Sequence, residues 1–380
     1  MSKPNIIRAV TVAQSSGFYD WVKEPFESMG YEAVSLSSPG PELQRLADEG
    51  WTVETVEMAR HISLFKDIKS LLNIIAVIRR LKPTMVHSMT PKAGLLCMMA
   101  AWLCRVPVRV HTFTGLVFPT ATGVKRRILM ATDWFTCACA THVIPEGEGV
   151  KADLLNNGIT RKPIRVLGHG NINGVNLQRF DPNNPEVLSD ASEIRKTDVF
   201  SFIFIGRLVG DKGINELVAA FHRLHEEVSA TRLILVGRAE PELDPLNAET
   251  LIDIDNNPAI EAVGQQQDVR PWLAASDALV FPSYREGFPN VVLEAGAMGL
   301  PSIVTDINGS REIIENGRNG LIIPPKNIDA LYEAMKQVII SPEHTIQMAQ
   351  EARPLVASRF EQSYVRNCLF EFYEEILKLK

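Results

Sequence analysis

Two glutamates, Glu286 and Glu294, flank a short loop and the start of a predicted helix. The loop follows the apolar run Ala278 to Phe281, which predicts a buried strand. Because proline suits the first position of a helix, we expect the helix to begin at Pro289 and Glu286 to lie outside it. Glu294 follows roughly 7–8 Å further along the axis, at about 1.5 Å per residue, and its side chain tilts back towards the N-terminus. Both carboxylates can therefore face one pocket.

The backbone between these glutamates adds a second kind of group. The first N–H groups of the helix region, those of Phe288, Asn290 and Val291, together with the helix dipole predict an anion site. Carboxylates for hydroxyls beside amides for phosphate suggest a sugar nucleotide as ligand. An ordinary strand, loop and helix with two solvated glutamates is the alternative interpretation of this stretch.

Two cations follow another predicted strand, Phe200 to Ile205, in the glycine-rich segment 206–213. Arg207 and Lys212 are five positions apart and could clamp a diphosphate, because the glycines allow close approach of the backbone. The segment lacks the GxxxxGK[ST] spacing of a phosphate-binding Walker loop, so it does not predict ATP hydrolysis. A glycine turn with two surface cations is the alternative.

Arg207 and Lys212, each beside a glycine, together with Glu286 and Glu294 in an E-x7-E pattern resemble the retaining glycosyltransferases of family four. The resemblance extends over nearly the whole chain and implies the α/β GT-B fold, two Rossmann-like domains facing an interdomain cleft. It implies that Arg207 and Lys212 bind the donor diphosphate. Glu286 would then contact the donor sugar, and Glu294 the ribose hydroxyls. The implied donor-binding set is Arg207, Lys212, Glu286, Gly287, Phe288, Asn290, Val291 and Glu294.

Further candidates lie in the first half of the chain. His111 ends a predicted strand, and a matching histidine in the family touches the donor sugar or the reacting centre, whereas a satisfied structural histidine is the alternative. With Glu286, Arg207 and Lys212, it completes the expected catalytic set. Thr90 and Lys92 follow another strand and are acceptor-side candidates, Lys92 for a phosphate. The family's usual glycine-rich first loop is replaced here, and only Gly17 is kept as a site for close backbone approach.

The elements that must position these residues alternate between strands and helices in two consecutive series, which predicts parallel sheets. We expect an acceptor-side domain at 1–180, a nucleotide-sugar domain at 181–361 and a last helix at 362–380 that packs towards the first domain. One helix, 64–81, is predicted to be amphipathic and its charged residues are expected mostly to face water. Its apolar residues at helical spacing are Leu64, Ile68, Leu71, Leu72, Ile75 and Ile78. The expected strands are 6–12, 33–36, 85–87, 108–112, 142–144 and 164–167, then 200–205, 232–236, 260–263, 278–281, 302–304 and 321–323.

Composition limits the class of protein. The 380 residues are 46% hydrophobic and 22% charged with a net charge of −6, which is typical of a globular protein and gives no overall reason to bind nucleic acid. The five cysteines have no paired CxxC spacing, and we discount the DxD-like triplet at Asp253 to Asp255, so no metal site is predicted. The N-terminus does not resemble a signal peptide, and no run is long enough to span a membrane. We therefore expect a cytoplasmic location.

The resulting expectation is a metal-independent enzyme, without a cofactor, that transfers a sugar with retention. The donor would be a UDP-sugar, including the case of an N-acetylhexosamine. The acceptor would be a saccharide, or one linked to polyprenyl diphosphate in surface-polysaccharide synthesis. The basic and apolar segment 123–130 suggests peripheral contact with the inner, anionic face of the cytoplasmic membrane, with a solvated helix as the alternative. Three rivals remain open: a hydrolase that uses Glu286 and Glu294, a UDP-sugar epimerase, and a non-catalytic nucleotide-sugar-binding protein.

Overall fold

The computed structural model describes residues 3–59, 63–242 and 244–378. The chain divides into two compact units. The first unit combines residues 1–173 with residues 365–380, and the second consists of residues 174–364. Each unit has one six-stranded sheet whose strands are all parallel.

The first unit alternates strands and helices from its beginning. Its elements are β1 Asn5–Ala9, α1 Lys23–Ser28, β2 Glu32–Ser37, α2 Pro41–Asp48, β3 Thr52–Thr55, α3 Leu64–Leu81, β4 Met85–Ser88, α4 Pro91–Leu103, β5 Val108–Phe113, α5 Gly123–Cys139, β6 His142–Pro145 and α6 Glu148–Asn156. The strand order is β3-β2-β1-β4-β5-β6. The chain therefore reverses its direction of travel across the sheet between β1 and β4, and α3, α4 and α5 pack side by side.

The second unit repeats this plan. Its elements are α7 Pro185–Ile194, β7 Phe200–Ile205, α8 Ile214–Glu227, β8 Thr231–Val236, α9 Ala248–Asn256, β9 Ile260–Gly264, α10 Arg270–Ala274, β10 Ala278–Phe281, α11 Asn290–Ala297, β11 Ser302–Thr305, α12 Ser310–Ile313, β12 Gly320–Ile323, α13 Ile328–Ile340 and α14 Pro342–Phe360. The strand order is β12-β11-β10-β7-β8-β9. Here the reversal lies between β7 and β10. In open parallel sheets, ligands bind outside the carboxyl ends of the strands at such a reversal.

The predicted α/β class and both strand series are confirmed, with four local corrections. The strand predicted at 6–12 ends at Ala9. Residues 164–167 form no strand, because β6 ends the sheet and Ile164 and Leu167 pack against apolar clusters without a backbone ladder. The edge strand β3, which is only four residues long, was not predicted. The polar segment 180–198, interpreted as a connection, contains α7, which packs on α10.

The bounds predicted for α3, Leu64–Leu81, are confirmed, but its predicted apolar positions divide between the core and the surface. The residues that α3 buries are Ser70, Ile74, Val77 and Ile78. In contrast, Leu64 is 74% exposed, Ile68 56% and Leu72 60%. The reason is that α4 packs along the other side of the helix. Of the predicted apolar positions, Leu71, Ile75 and Ile78 therefore pack against the core, and the other three face outwards.

The last helix, α15 Gln362–Lys378, begins in the second unit and continues in the first. The division falls after residues 173 and 364, rather than after 180 and 361, because residues 174–180 pack with the second unit: Val175 N donates to Phe360 O. Within the first unit, Tyr373 of α15 accepts a hydrogen bond from the fully buried Arg8 of β1 and lies 2.8 Å from Nδ1 of His87. Burial lowers the pKa of Arg8 to about 9. A buried polar network thus fixes α15 on the sheet.

Candidate functional site

The loop after β10 carries the first predicted carboxylate. Pro289 is the residue before the helix, with φ −75° and ψ 103°, and α11 begins at Asn290, one position later than predicted. The reason is that the backbone of Pro289 is extended. Glu286 lies in the loop, and Phe288 is buried against Phe360, with ring centroids 5.3 Å apart. The loop therefore has an apolar anchor beside its carboxylate.

Lys212 and Glu286 form an ion pair in the second unit. The two side chains are only 15% and 17% exposed, so their attraction is screened less than that of a surface pair. Ser283 Oγ donates to the same Glu286 oxygen at 2.7 Å, and the ring centroid of Phe281 is 5.5 Å from the ammonium. Lys212 follows β7 and Glu286 follows β10, so the pair joins the two loops at the reversal of this sheet.

Other contacts hold the Glu286 loop from two sides. Arg285 donates to Asp211 at 2.9 Å, and Tyr284 OH donates to Glu216 at 2.5 Å, which ties the loop to the end of β7 and the start of α8. On the other side, Thr305 at the end of β11 donates to the carbonyl oxygen of Ser283. The loop is thus fixed to both neighbouring strand ends.

Arg207 is paired with Glu240, which was not among the predicted site residues. Its Nη1 lies 3.2 Å from Glu240 Oε2, while Arg238 Nη2 lies 2.8 Å from Oε1 of the same carboxylate. Hydrogen bonds from Arg238 and then Arg207 hold the pKa of Glu240 below its usual range. The position of Glu240 shortly after β8 could have indicated it, since loops after strands carry the sites of such sheets.

Glu294 lies in the second turn of α11, half-buried. Among the described residues its carboxylate has no hydrogen-bonding or ion-pair partner, although the charge of Arg179 acts on it. Burial raises its pKa to about 7. In the same part of the chain, the backbone N–H groups of Phe288 and Val291 donate to no described acceptor. The start of α11 therefore offers a carboxylate and two amide donors to a ligand.

The raised pKa of Glu294 predicts a pH-dependent stability. The folded pKa of about 7 lies above the ordinary glutamate pKa of 4.5, so the folded state binds the proton more tightly. The resulting contribution to the free energy of unfolding is fully present below about pH 4.5 and is lost as the pH rises through about 7. We expect Glu294→Gln to raise the melting temperature at pH 8 and to leave it unchanged near pH 4.5, as measured by thermal unfolding.

Glu333→Gln is the matched control for this experiment. Glu333 is an exposed glutamate on α13 of the same unit, so the melting temperature of this variant should follow that of the parent at both pH values. An equal shift of the Glu294→Gln melting temperature at both pH values would contradict the assignment.

His111 lies inside β5 rather than at its end, because the strand continues to Phe113. The side chain is 1% exposed, its Nδ1 lies 2.9 Å from Ser88 Oγ, and its ring meets that of Phe113 edge-on at 4.5 Å. A Cβ added to Gly94 would lie 2.4 Å from His111 Cε1, so only glycine lets α4 pass this close. Burial lowers the pKa of His111 to about 3, and the imidazole is therefore neutral at pH 7.

The acceptor-side candidates lie near the sheet reversal of the first unit. Thr90, after β4, bonds to Thr11, after β1, through Oγ1 atoms 2.7 Å apart. Lys92 donates to Asp67 of α3 at 2.6 Å. Gly17 lies in the 3₁₀ helix Ala13–Phe18, where an added Cβ would meet nothing within 4 Å. The structure thus brings Thr90 and Lys92 to one sheet edge but does not require a glycine at 17.

The described residues contain neither a metal-binding cluster nor a membrane-spanning helix. Across the described ranges, no group of three or more His, Cys, Asp or Glu side chains could hold a metal ion; Asp253 and Asp255 lie in α9. Within those same ranges, no helix combines the length and apolar character needed to cross a bilayer.

Two family models match this chain, one in each of its two units. A family model described as "Glycosyl transferases group 1" matches residues 200–341, and one described as "Glycosyl transferase 4-like domain" matches residues 22–170. The capsular polysaccharide biosynthesis glycosyltransferase CapM of Staphylococcus aureus is 29% identical over 100% of this chain and 99% of its own length.

Two further comparisons concern named ligands. The Escherichia coli UDP-Gal:alpha-D-GlcNAc-diphosphoundecaprenol alpha-1,3-galactosyltransferase is 29% identical over 89% of this chain and 88% of its own length. The crystal structure of Anabaena HepE in complex with UDP and glucose has a TM-score of 0.81 at 18% identity, covering 98% of this chain and 100% of that one. At this identity the structural likeness establishes the fold alone.

Proposed function

Because the chain belongs to the group 1 glycosyltransferases, with a glycosyl transferase 4-like domain in its first half, we propose that it transfers a sugar from a UDP-sugar to a saccharide hydroxyl with retention. The observation that carries the proposal is the shielded Lys212–Glu286 pair where β7 and β10 end. A cation and a carboxylate at a sheet reversal suit a ligand that combines a diphosphate with sugar hydroxyls.

Each donor-side group has a distinct proposed role. Arg207 and Lys212 stabilise the negative charge that develops on the leaving diphosphate, where positioned cations act without reorganisation. The N–H groups of Phe288 and Val291 at the start of α11 bind the same phosphates. Glu286 contacts the donor sugar. The carboxylate of Glu294, which has no described hydrogen-bonding partner, accepts hydrogen bonds from the ribose hydroxyls.

With these roles, Lys212 changes its partners when the donor binds. In the described state its ammonium is paired with Glu286, and a diphosphate would share it. Glu286 would then interact less strongly with Lys212 and would accept hydrogen bonds from the sugar hydroxyls. The neutral imidazole of His111 is proposed to contact the sugar through a hydrogen bond rather than through charge. All of these roles belong to side chains and backbone amides of the chain, and the proposal requires no metal ion.

For the acceptor, we propose a saccharide linked to polyprenyl diphosphate, used in bacterial surface-polysaccharide synthesis. The support comes from the named relatives: one acts in capsular polysaccharide biosynthesis, and the name of the other states a diphosphoundecaprenol-linked acceptor. In this chain Thr90 and Lys92 are the proposed acceptor-side residues. Their position near the β1/β4 reversal is where a parallel sheet offers a second ligand site.

The first experiment is thermal unfolding with a panel of nucleotide sugars and free nucleotides. A ligand present at 100 times its dissociation constant should stabilise the fold by about 2.7 kcal/mol. We expect UDP and one UDP-sugar to stabilise it, and GDP or ADP to have little effect. Stabilisation by a purine nucleotide alone would overturn the choice of donor.

Product analysis then separates the reaction classes. A transferase releases UDP only when an acceptor is supplied, and the NMR coupling at the new anomeric centre reports retention. An epimerase would change the UDP-sugar without an acceptor, and a hydrolase would release free sugar. A non-catalytic binding protein would be stabilised by the UDP-sugar but would form no product with any acceptor. Each of these other outcomes contradicts the proposed reaction.

A further inference from the structure

An apolar stripe covers the outer side of α3. Phe65 is 90% exposed, and Leu64, Ile68 and Leu72 are each more than half exposed. At 100° per residue these four side chains fall within one arc of about 100°. No described element packs over them, because α4 covers the opposite side of the helix. We call these four residues the outer stripe.

The exposed charged residues beside the outer stripe are mainly cations. Lys66 and Lys69 lie in the same turns and are exposed, whereas the one acid of α3, Asp67, is bound to Lys92. Glu54, in the edge strand, is bound to Arg80, and the exposed Glu57 precedes the helix. The exposed charge beside the stripe is therefore mainly positive.

The same bias extends through the whole α3 to α5 region. Residues 64–140 contain eleven lysines and arginines but only two acids, Asp67 and Asp133, in a chain whose net charge is −6. The start of α5 repeats the combination, with exposed Val124 and Ile128 next to Lys125 and Arg127. Positive charge is thus concentrated in the same α3 to α5 region that exposes apolar side chains.

The outer stripe also lies next to an acceptor-side candidate. Helices in parallel βα units start where their preceding strands end, so the first turns of α3, α4 and α5 lie at the same edge of the sheet. The ion pair between Asp67 and Lys92 joins the first turns of α3 and α4 directly. A surface that binds through the outer stripe would therefore meet Lys92 at its border.

We propose that the outer stripe and its neighbouring cations form a docking surface for an anionic lipid bilayer. Apolar side chains on a helix that lies flat in the interface enter the boundary of the acyl chains, while flanking lysines meet the lipid phosphates. The combination distinguishes a bilayer from nucleic acid, which binds through charge and stacking without an aliphatic stripe. A second copy of this chain is disfavoured, because a symmetric contact would bring the same cations together.

The test is co-sedimentation of the full chain with vesicles, without donor or acceptor. Vesicles of phosphatidylcholine alone are compared with vesicles that also contain phosphatidylglycerol. We expect preferential binding to the anionic vesicles, weakened but not abolished by high salt, because salt screens the cations and leaves the apolar contact. The double variant Phe65→Ser/Ile68→Ser should lower the partition coefficient about tenfold or more. This is the effect expected when two apolar side chains that the bilayer would bury are lost.

Leu251→Ser/Ile252→Ser is the matched control. These residues are 48% and 59% exposed on α9 of the second unit, so this variant loses comparable apolar surface and should bind vesicles like the parent. Equal binding of the outer-stripe variant and the parent would overturn the proposal, as would equal binding to neutral and anionic vesicles. A change of oligomeric state in the outer-stripe variant, seen by light scattering, would instead assign the stripe to a second copy.

The docking proposal is independent of the proposed reaction. Transfer to a water-soluble acceptor should proceed at the parent rate in Phe65→Ser/Ile68→Ser, because the stripe belongs to the first unit and the donor-side residues to the second. Failure to bind vesicles with normal transfer overturns only the docking surface. Normal vesicle binding without transfer overturns only the reaction.

Discussion

Lys212→Ala is expected to reduce kcat for sugar transfer by about 10²–10³-fold, the usual cost of removing one group that stabilises charge in the transition state. The variant also leaves Glu286 without its cation in a site where both side chains are largely shielded from water. Donor binding should therefore weaken as well. Steady-state kinetics with the UDP-sugar identified by the thermal panel would measure both effects.

Glu286→Gln tests the other half of the pair and should also lose most of its turnover. Lys196→Ala is the matched control, since Lys196 pairs with Glu261 on a more exposed surface of the same unit, and its rate should equal that of the parent. The circular dichroism of all three variants should remain native. Near-normal turnover of both Lys212→Ala and Glu286→Gln would remove the proposed assignment of the site.

Gly309→Ala is expected to destroy donor binding without touching a donor-binding side chain. Gly309 has φ +74°, and a Cβ there would lie 2.5 Å from Gly287 O and 2.7 Å from Phe288 Cα. These are backbone atoms of the Glu286 loop, so the loop must move. We expect a loss of about 1–3 kcal/mol in stability from overpacking in addition to about 1–2 kcal/mol from a side chain at positive φ. Thermal unfolding without UDP would measure the loss of stability, and the shift on adding UDP would measure the loss of donor binding.

Gly317→Ala separates the two contributions. Gly317 has a similar φ of +77°, but an added Cβ meets nothing within 4 Å. This variant should show only the cost of the left-handed backbone and should keep the full stabilisation by UDP. If Gly309→Ala retained the same UDP-induced shift as Gly317→Ala, the Glu286 loop would not be part of the donor site.

The sequence was most informative where a pattern is local. The bounds of α3 and of β7 and β10 follow from helical periodicity and from apolar runs, and these elements occur at the predicted residues. The motifs at Arg207, Lys212, Glu286 and Glu294 were sufficient to identify the family. The start of α11 differed by a single residue, because the proline rule does not distinguish the last extended position from the first helical one.

The sequence was least informative about which surfaces meet. Periodicity predicts that α3 has an apolar side but contains no information about what covers that side, and so it could not separate the exposed Ile68 from the buried Ile78. The pairing of Lys212 with Glu286 joins residues 74 positions apart, and no local rule predicts it. The contact of Arg8 with Tyr373 spans 365 positions. Only the unusual arginine in the apolar first strand hinted at a buried partner.

The path of α15 has a consequence for the order of events during synthesis on the ribosome. The second unit is continuous in the chain, so it can fold once residues 174–364 have emerged. The first unit needs residues 365–378, because Tyr373 binds Arg8 and His87 and the neighbouring apolar residues of α15 belong to its core. Although it is synthesised first, the first unit must be completed last. Until then its sheet lacks the helix that covers Arg8, and the apolar surface left exposed there favours misfolding.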